Sequence, residues 1–207
     1  MTILAILILA AGTSSRMGGR DKLLECANGT PLLAHVTNQA MATGLPVFIT
    51  VPDKTHPRAA LVATDHVTVI DIPDRLEGMA ASIRTGAAAL RQDNCALMIL
   101  PGDMPDLQTS DLLSLANAHA QQPAKILRAT SADGIPGHPV IFPADLVPDL
   151  MAVTGDAGAR SVIEANKDRL QTYALPGNRA ICDLDTPQDW AKWRERQPHA
   201  KNKKADR

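Results

Sequence analysis

Two cations stand in a loop of small residues near the start of the sequence. Arg16 and Lys22 lie in the segment Ala10–Lys22, which follows a short apolar run, Ile3–Leu9. Small residues let backbone N–H groups approach a bound anion closely, and nearby cations neutralise its charge. The segment is not a P-loop, because no Ser or Thr follows the lysine, and its glycines do not fit the dinucleotide fingerprint. The pattern predicts a cradle for a triphosphate at the end of a buried strand.

Carboxylates follow a second apolar run and recur near the end of the sequence. Asp103 comes shortly after Ala96–Leu100, and Asp183 and Asp185 are separated by one residue. That spacing puts both side chains on one side of an extended segment, where they repel each other unless a cation lies between them. Mg²⁺ takes one or two carboxylates together with substrate phosphates, so the three aspartates are candidate metal ligands. The alternative near the end of the sequence is that Asp185 or Thr186 caps the helix that begins at Pro187. Considered alone, Asp103 could equally be a helix-capping or turn residue.

The motifs that contain these residues carry a family resemblance. They read Leu9-Ala10-Ala11-Gly12-x-Ser14-x-Arg16-Met17-Gly18-x-x-x-Lys22, Gly102-Asp103-Met104-Pro105 and Asp183-x-Asp185-Thr186-Pro187-x-Asp189. Together they resemble the MobA-like NTP transferases, and among these the molybdenum cofactor cytidylyltransferases and guanylyltransferases. The resemblance implies that Arg16, Lys22 and Asp103 are catalytic. It also implies that Mg²⁺ is bound by Asp103 with a second ligand, for which both Asp183 and Asp185 remain candidates.

Further segments extend the resemblance to the base and to the acceptor. Gly78-Met79-x-x-Ser82 precedes and enters a predicted helix, where glycine permits close approach of a base and the helix N-terminus favours an anion. The nucleotide-binding residues that the resemblance implies are Leu9, Ala10, Ala11, Gly12, Ser14, Ser15, Arg16, Lys22, Gly78, Met79 and Ser82.

Two motifs in the second half of the chain resemble the acceptor-facing part of the family. They are Gly134-x-Pro136-Gly137-His138-Pro139 and Gly155-Asp156-x-Gly158-Ala159-Arg160. They imply acceptor binding by Gly137, His138 and Arg160, with Asp156 as a helix cap. A lone histidine is more often structural than catalytic, so a purely structural His138 remains the alternative.

The motifs differ in the donor that they favour. The segment Met17-Gly18-Gly19-x-Asp21-Lys22 resembles the guanylyltransferases. Four other segments resemble the cytidylyltransferases: Ala10-Ala11-Gly12, Gly78-Met79-x-x-Ser82, Gly137-His138-Pro139 and Gly155-Asp156-x-Gly158-Ala159-Arg160. Because more segments favour the second group, we expect CTP to be the preferred donor. The implied acceptor is molybdopterin carrying molybdenum or a related phosphorylated cofactor precursor, and a molybdoenzyme is a candidate partner.

Apolar runs that predict strands alternate with helical patterns, which is typical of βαβ units. The predicted strands are Ile3–Leu9, Val47–Val51, Val67–Ile70, Ala96–Leu100, Lys125–Ala129, Val140–Phe142, Leu170–Ala174 and Ala180–Leu184. The predicted helices are Pro31–Thr43, Ala80–Leu90, Thr109–Ala120, Ala144–Met151, Ala157–Asn166 and Pro187–Arg194. We therefore expect an α/β fold: a doubly wound, mostly parallel, Rossmann-like sheet with helices on both faces, as in nucleotide-diphospho-sugar transferases. Residues 1–195 would form a single nucleotidyltransferase domain, and residues 196–207 a basic, disordered tail.

Composition excludes several classes of protein. Aromatic residues make up 2% of the 207 residues and the net charge is −1, which argues against nucleic-acid binding. The run Ile3–Ala11 is too short to span a membrane, and Cys26, Cys95 and Cys182 form no C-x-x-C pair. We therefore expect a cytoplasmic protein with no membrane association.

The expected activity is Mg²⁺-dependent transfer of a nucleoside monophosphate from an NTP to a phosphorylated small molecule, with release of pyrophosphate. Two alternatives of other classes remain at this stage. One is an oxidoreductase that binds a nicotinamide or flavin nucleotide on the same scaffold, against which the missing dinucleotide fingerprint counts. The other is a non-catalytic partner in molybdoenzyme maturation, against which the intact set of lysine and aspartates counts.

Overall fold

The chain folds around a seven-stranded sheet, with a separate two-stranded hairpin beside it. A computed structural model describes residues 3–74, 77–90, 95–155 and 158–197. The strands are β1 Leu4–Leu9, β2 Cys26–Ala27, β3 Thr30–Pro31, β4 Val47–Val51, β5 Val67–Asp71, β6 Ala96–Pro101, β7 Ile126–Thr130, β8 Pro136–Phe142 and β9 Leu170–Ala174. The α-helices are α1 Leu32–Met41, α2 Pro57–Val62, α3 Met79–Leu90, α4 Thr109–Gln121, α5 Val147–Leu150, α6 Arg160–Ala165 and α7 Pro187–Arg196.

The order of the strands brings the ends of β1, β4 and β6 together. The sheet runs β5-β4-β1-β6-β8-β7-β9, and β8 is antiparallel to both of its neighbours. In the register of β1, Leu9 lies opposite Thr50 of β4 and Pro101 of β6. Parallel strands end at the same edge of a sheet, so the segments that follow β1, β4 and β6 leave it side by side. Since β8 runs in the opposite direction, its first residues lie at this edge too.

Alternate residues of β1 pack into two separate cores. Leu4, Ile6 and Ile8 belong to a core that contains residues of α1, α2, α4 and α7. Ala5 and Leu7 belong to a core that contains residues of α3, α5 and α6. A strand that is covered on both faces has no solvent-facing side, which explains its continuous apolar sequence. The predicted doubly wound, mostly parallel α/β architecture is confirmed.

Two predicted elements are wrong in type or extent. The run Ala180–Leu184 is not a strand, because a 3₁₀ helix over Arg179–Ile181 is followed by an irregular segment. Ala180, Cys182 and Leu184 are all buried, so the apolar alternation that resembles a strand arises from packing against the core. The predicted helix Ala144–Met151 divides into a 3₁₀ turn over 144–146 and the short helix α5.

The short elements α2, β2 and β3 do not follow from the sequence pattern. Helix α2 has six residues and the two hairpin strands have two each. Elements this short do not show a detectable hydrophobic periodicity. Helix α6 begins at Arg160, whereas the pattern predicts a start at Ala157, which lies outside the described residues.

Candidate active site

Backbone hydrogen bonds join three of the predicted site segments at the carboxyl edge of the sheet. The Gly102 N–H donates to the Leu9 carbonyl at 3.0 Å, which ties the segment after β6 to the end of β1. The Leu184 N–H donates to the Asp103 carbonyl at 3.1 Å, which ties the 183–185 segment to the same place. Residues that are about 80 positions apart along the chain therefore share one cleft.

A cavity of about 470 Å³ opens between the opening loop and the start of α3. The predicted nucleotide-binding residues that line it are Leu9, Ala10, Ala11, Gly12, Arg16, Lys22, Gly78, Met79 and Ser82. Thr13, Leu23, Pro101 and Asp103 complete the wall. Small side chains on the loop leave the cavity open to backbone groups, and Lys22 and Asp103 bring opposite charges to one end of it.

Ser14 and Ser15 are not among the residues that line this cavity. The Ser14 hydroxyl accepts hydrogen bonds from Arg58 and from the Lys22 N–H, at 3.1 and 3.3 Å, and donates to Asp21 at 3.4 Å. It therefore stabilises the loop from within. Ser15 begins a 3₁₀ turn that ends at the buried Met17.

Lys22 connects the two carboxylate motifs. Its Nζ donates to Asp103 Oδ2 at 2.6 Å and also to Asp185 Oδ1. Arg16 pairs with the other oxygen of Asp185 at 2.9 Å, although its own side chain is largely exposed. The opening loop thus supplies two cations to carboxylates that come from the segment after β6 and from the segment before α7.

The charges in this cluster raise the pKa of two of its members, Lys22 and Asp183. Burial alone would lower the pKa of Lys22, but the attraction of Asp103 and Asp185 outweighs it and raises the pKa above its usual value. Partial desolvation, together with repulsion from Asp103 and Asp185, raises the pKa of Asp183. Asp183 is exposed and lines a neighbouring cavity with Cys182 and Lys192. The negative charge of Asp103 and Asp185 therefore disfavours a further ionised carboxylate at Asp183.

The donor atoms suit a hard divalent cation that is shared with a substrate. Asp103 Oδ1 is buried and has no hydrogen-bond partner, while Oδ2 of the same carboxylate binds Lys22. No cluster of three or more His, Cys, Asp or Glu side chains positioned for a metal occurs among the residues that the structure describes. Mg²⁺ needs fewer protein ligands than that, because it keeps waters and takes oxygens from substrate phosphates. The aspartates around Lys22 fit such an ion.

A second cavity, of about 320 Å³, lies on the other side of Met79, whose side chain lines both. The predicted acceptor residues His138 and Arg160 line it, together with Arg128 and Glu164. Arg128 donates from Nε to the Gly137 carbonyl at 3.1 Å. Sequence reasoning missed Arg128, because a single arginine inside a short strand carries no motif.

The second cavity disfavours additional positive charge. Burial, reinforced by Arg128, lowers the pKa of His138 to about 4, so its imidazole is neutral near neutral pH. Burial and the proximity of Arg160 lower the pKa of Arg128 as well. Among the described residues no carboxylate lies within salt-bridge distance of either arginine. Two arginines against an apolar wall are suited to an anionic ligand.

Gly137 has a packing role that the sequence does not indicate. A Cβ atom at this position would lie 1.9 Å from the Ala180 carbonyl oxygen, so only glycine lets β8 approach the 179–181 turn. Gly137 is not among the residues that line the second cavity. Asp156, the predicted cap of α6, lies outside the described residues, as do residues 198–207 of the predicted tail.

No helix in the described ranges is both long enough and apolar enough to cross a membrane.

Comparison with known proteins places the chain among nucleotidyltransferases. Residues 6–170 match the family described as "MobA-like NTP transferase domain". A molybdenum cofactor cytidylyltransferase of Escherichia coli is 27% identical over 202 residues, which cover 95% of this chain and 98% of that protein. A molybdenum cofactor guanylyltransferase of Pseudomonas aeruginosa is 30% identical over 198 residues, which cover 92% of this chain and 94% of that protein.

Solved structures share the fold. The crystal structure of Rv0371c from Mycobacterium tuberculosis superposes with a TM-score of 0.80 at 24% identity, covering 94% of this chain and 98% of that one. A complex of Rv0371c with manganese gives a TM-score of 0.78 at 23% identity, covering 95% and 100%. The family match and the relatives that are similar over nearly their whole length show that this chain is a nucleotidyltransferase and belongs to the MobA-like NTP transferase family.

Proposed function

We propose that the protein transfers a nucleoside monophosphate from CTP to a phosphorylated acceptor of the molybdopterin type, with Mg²⁺ as cofactor. The observation that carries this proposal is the position of Lys22 between Asp103 and Asp185, at the mouth of a cavity walled by small residues. An oxygen of the acceptor phosphate attacks the α-phosphorus of the nucleotide in line. The bond from that phosphorus to the bridging oxygen breaks, and pyrophosphate leaves with the electron pair.

Lys22 and Arg16 bind the triphosphate in this proposal. Both cations lie on the loop that lines the cavity, and both are paired with carboxylates. On nucleotide binding they exchange these partners for phosphate oxygens. Charge then develops on the leaving pyrophosphate, where positioned cations stabilise the transition state more than the ground state.

Asp103 and Asp185 are the metal ligands that we propose, with Asp183 at the rim of the site. The unpartnered oxygen of Asp103 supports its assignment, and Asp185 shares Lys22 with it. A bound Mg²⁺ would supply Lewis-acid stabilisation of the phosphate oxygens. If Asp185 is the second ligand, Asp185→Asn should raise the Mg²⁺ concentration needed for half-maximal activity more than Asp183→Asn does. The reverse order would assign the role to Asp183.

The second cavity is the proposed acceptor site. Arg128 and Arg160 would hold the anionic part of the acceptor, and the neutral His138 would offer a hydrogen bond. Met79 lines both cavities, so an acceptor held there lies beside the bound nucleotide. Holding both reactants in contact removes the entropic cost of bringing them together in the reactive step.

The choice of CTP rests on two observations. The base-facing segments have small residues, and the Escherichia coli relative, which is similar over almost its full length, is named a cytidylyltransferase. GTP is the second candidate. The segment Gly18-Gly19 and the Pseudomonas aeruginosa relative, named a guanylyltransferase, favour it.

Two measurements test the proposal. The first is pyrophosphate release with each NTP and Mg²⁺, with and without molybdopterin-type acceptors. The second is calorimetric titration with CTP, GTP, ATP and NADPH in the presence of Mg²⁺. A pocket that reads one base edge discriminates strongly, because a wrong base leaves buried polar groups unpaired. Tighter binding of GTP than of CTP would make the protein a guanylyltransferase, and binding of NADPH alone would contradict transferase chemistry at this site.

A further inference from the structure

Arg58 lies beneath the opening loop, although no motif includes it. It is the second residue of α2, in the segment that follows β4, and 2% of its surface is exposed. Because β4 is the parallel neighbour of β1, the segments after the two strands leave the sheet side by side. A buried arginine is costly unless its charge is paired and its donors are satisfied, so its surroundings need an explanation.

All five N–H donors of the Arg58 guanidinium are used, and all of them bind the opening loop. Nε and Nη2 form a two-pronged pair with the Asp21 carboxylate at 2.8 and 2.6 Å. Nη1 donates to the carbonyls of Ala10 and Gly12 at 2.6 and 2.7 Å, and Nη2 also donates to the Ser14 hydroxyl at 3.1 Å. A lysine has three donors on a single nitrogen and cannot reproduce this fork.

These contacts bind both ends of the loop to one side chain. Ala10, Gly12 and Ser14 belong to its first part, and Asp21 immediately precedes Lys22. Ser14 adopts a left-handed conformation, with φ of 52°, that a non-glycine residue rarely occupies. Its hydroxyl also accepts from the Lys22 N–H. The backbone position of Lys22 is therefore set by a network with Arg58 at its centre.

Pairing with Arg58 also affects the charge of Asp21. It is an acidic residue beside the cation that would bind a triphosphate, where an unpaired negative charge would repel the substrate. The carboxylate faces Arg58 through both of its oxygens, and burial, which would raise the pKa of Asp21, is outweighed by this pairing, so the pKa is lowered. Asp21 therefore remains charged, and Arg58 compensates that charge locally.

We propose that Arg58 is the positioning residue of the nucleotide-binding loop: it holds Lys22 in place for the triphosphate and compensates the charge of Asp21. The inference rests on the proposed function of the loop. Arg58 is too deeply buried to act as a catalytic residue, so its effect on nucleotide binding passes through the loop.

The test compares Arg58→Lys, Arg58→Met, Asp21→Asn and the double variant Arg58→Met with Asp21→Asn. We expect Arg58→Lys and Asp21→Asn each to raise KM for the nucleotide by about 10-fold or more, because part of the binding energy must order the loop. Because the ordered complex keeps Lys22 and Asp103, kcat should fall less than about threefold. The double variant should bind Mg²⁺–CTP more tightly than Arg58→Met does, because it lacks the uncompensated carboxylate.

The control is Arg169→Lys. Arg169 also forms a two-pronged pair, with Asp145 at 2.8 and 2.9 Å, but on an exposed surface outside both cavities. It should keep the wild-type KM. A merely structural role for Arg58 would lower the melting temperature and the folded fraction while leaving KM of the folded molecules unchanged. KM is therefore measured below the melting temperature of each variant, alongside the calorimetric Kd.

The outcomes separate this inference from the proposed function. Wild-type protein that binds no nucleoside triphosphate with any divalent metal would overturn both. Wild-type protein that binds CTP or GTP, with Arg58→Lys and Asp21→Asn unchanged in KM and Kd, would overturn the role of Arg58 alone. A double variant that binds no more tightly than Arg58→Met would overturn the compensation of Asp21.

Discussion

At the scale of single residues, charge pairing around Lys22 governs the site. One ammonium group serves two carboxylates, and both Lys22 and Asp103 are only 15% exposed in their side chains. Asp103 keeps its second oxygen unpartnered in this arrangement. Removing Lys22 should leave the negative charge of Asp103 and Asp185 without its shared cation. Removing Asp103 should instead leave Lys22 paired with Asp185.

Asp103→Ala is expected to lower turnover by about two to three orders of magnitude, because metal stabilisation of the transferred phosphate is worth several kcal/mol. The fold should persist, since Lys22 retains Asp185 as a partner. Pyrophosphate release and the melting temperature measure the two effects. Asp145→Ala, which removes an exposed aspartate that is bonded to Arg169, is the matched control. Wild-type turnover of Asp103→Ala with Mg²⁺ would exclude Asp103 as a metal ligand.

Lys22→Ala and Arg16→Ala are expected to lower kcat/KM for the nucleotide. A hydrogen bond to a charged group contributes about 1.5–3 kcal/mol, which corresponds to about 10- to 150-fold for each variant. Lys22→Ala should have the larger effect, because Lys22 is partly buried between Asp103 and Asp185 while Arg16 is largely exposed. Lys125→Ala, a change on the exposed surface at Asp168, serves as control in steady-state assays. Unchanged kinetics in both variants would mean that the loop does not bind phosphates.

His138 is expected to make stability depend on pH in a predictable direction. Its pKa is about 4 in the folded protein and 6.5 ordinarily, so the unfolded chain binds the proton more readily between these values. The stabilising contribution is complete above about pH 6.5 and is lost as the pH falls towards 4. Between about pH 7 and pH 5 the loss should reach about 2 kcal/mol. Urea unfolding at the two pH values, compared with His138→Asn, measures it, and equal losses in both proteins would contradict the assignment.

At the scale of elements, the antiparallel direction of β8 determines which of its residues lie near the site. A parallel strand next to β6 would begin at the opposite edge of the sheet, and its first residues would lie far from Asp103. Because β8 is reversed, its start carries Gly137 and His138 to the edge where β1 and β6 end. The close approach of β8 to the 179–181 turn then positions the segment that continues to Asp185.

Gly137→Ala is expected to lose stability and activity together. The new Cβ would lie 1.9 Å from the Ala180 carbonyl oxygen, so the turn must move, at a cost of about 1–3 kcal/mol or more for overpacking. Displacement of the turn shifts Asp183 and Asp185 relative to Asp103. Thermal unfolding and kcat/KM measure both effects, with the exposed neighbour Pro136→Ala as control. A variant with wild-type melting temperature would contradict the packing role of Gly137.

At the scale of the whole molecule, the last helix closes one of the two cores. Trp190 and Trp193 are each 2% exposed, and their rings meet edge to face at 6.0 Å. Trp193 also donates to Asp106 at 2.7 Å, which links α7 to the segment after Asp103. The described chain beyond α7 consists of Gln197 alone.

Removal of residues 198–207 is expected to leave the melting temperature and kcat unchanged, in keeping with a domain that ends near residue 195. Removal of residues 193–207 should instead destabilise the protein by about 3–5 kcal/mol, the usual cost of losing a buried tryptophan. Differential scanning calorimetry of the two truncations tests this contrast. Equal melting temperatures for the two would show that Trp193 and the end of α7 contribute nothing to the core.

The sequence by itself determined the architecture and most of the residues that line the cavity at the opening loop. Buried strands and the loop that follows each of them have local signatures: an apolar run, then small residues with a cation or an aspartate. Such patterns can be recognised without the tertiary structure. A strand that is buried on both faces needs a continuous apolar sequence, and a loop that binds an anion through backbone N–H groups needs small residues. The same local reasoning failed for Ala180–Leu184, where contact with a distant core imitates the alternation of a strand.

Only the tertiary structure decided which side chains meet. Lys22 contacts Asp103 because β1 and β6 are parallel neighbours in register, and it contacts Asp185 because the Leu184 N–H binds the Asp103 carbonyl. Nothing in the loop itself specifies either pairing. The roles of Arg58 and Arg128 and the packing of Gly137 could not be predicted from the sequence either. The contacts of Arg58 are with a segment about 40 residues away. Those of Arg128 and Gly137 depend on a neighbouring strand and on the 179–181 turn. The reason is physical: local sequence sets conformation and burial, whereas charge compensation and contact depend on the order and direction of the strands.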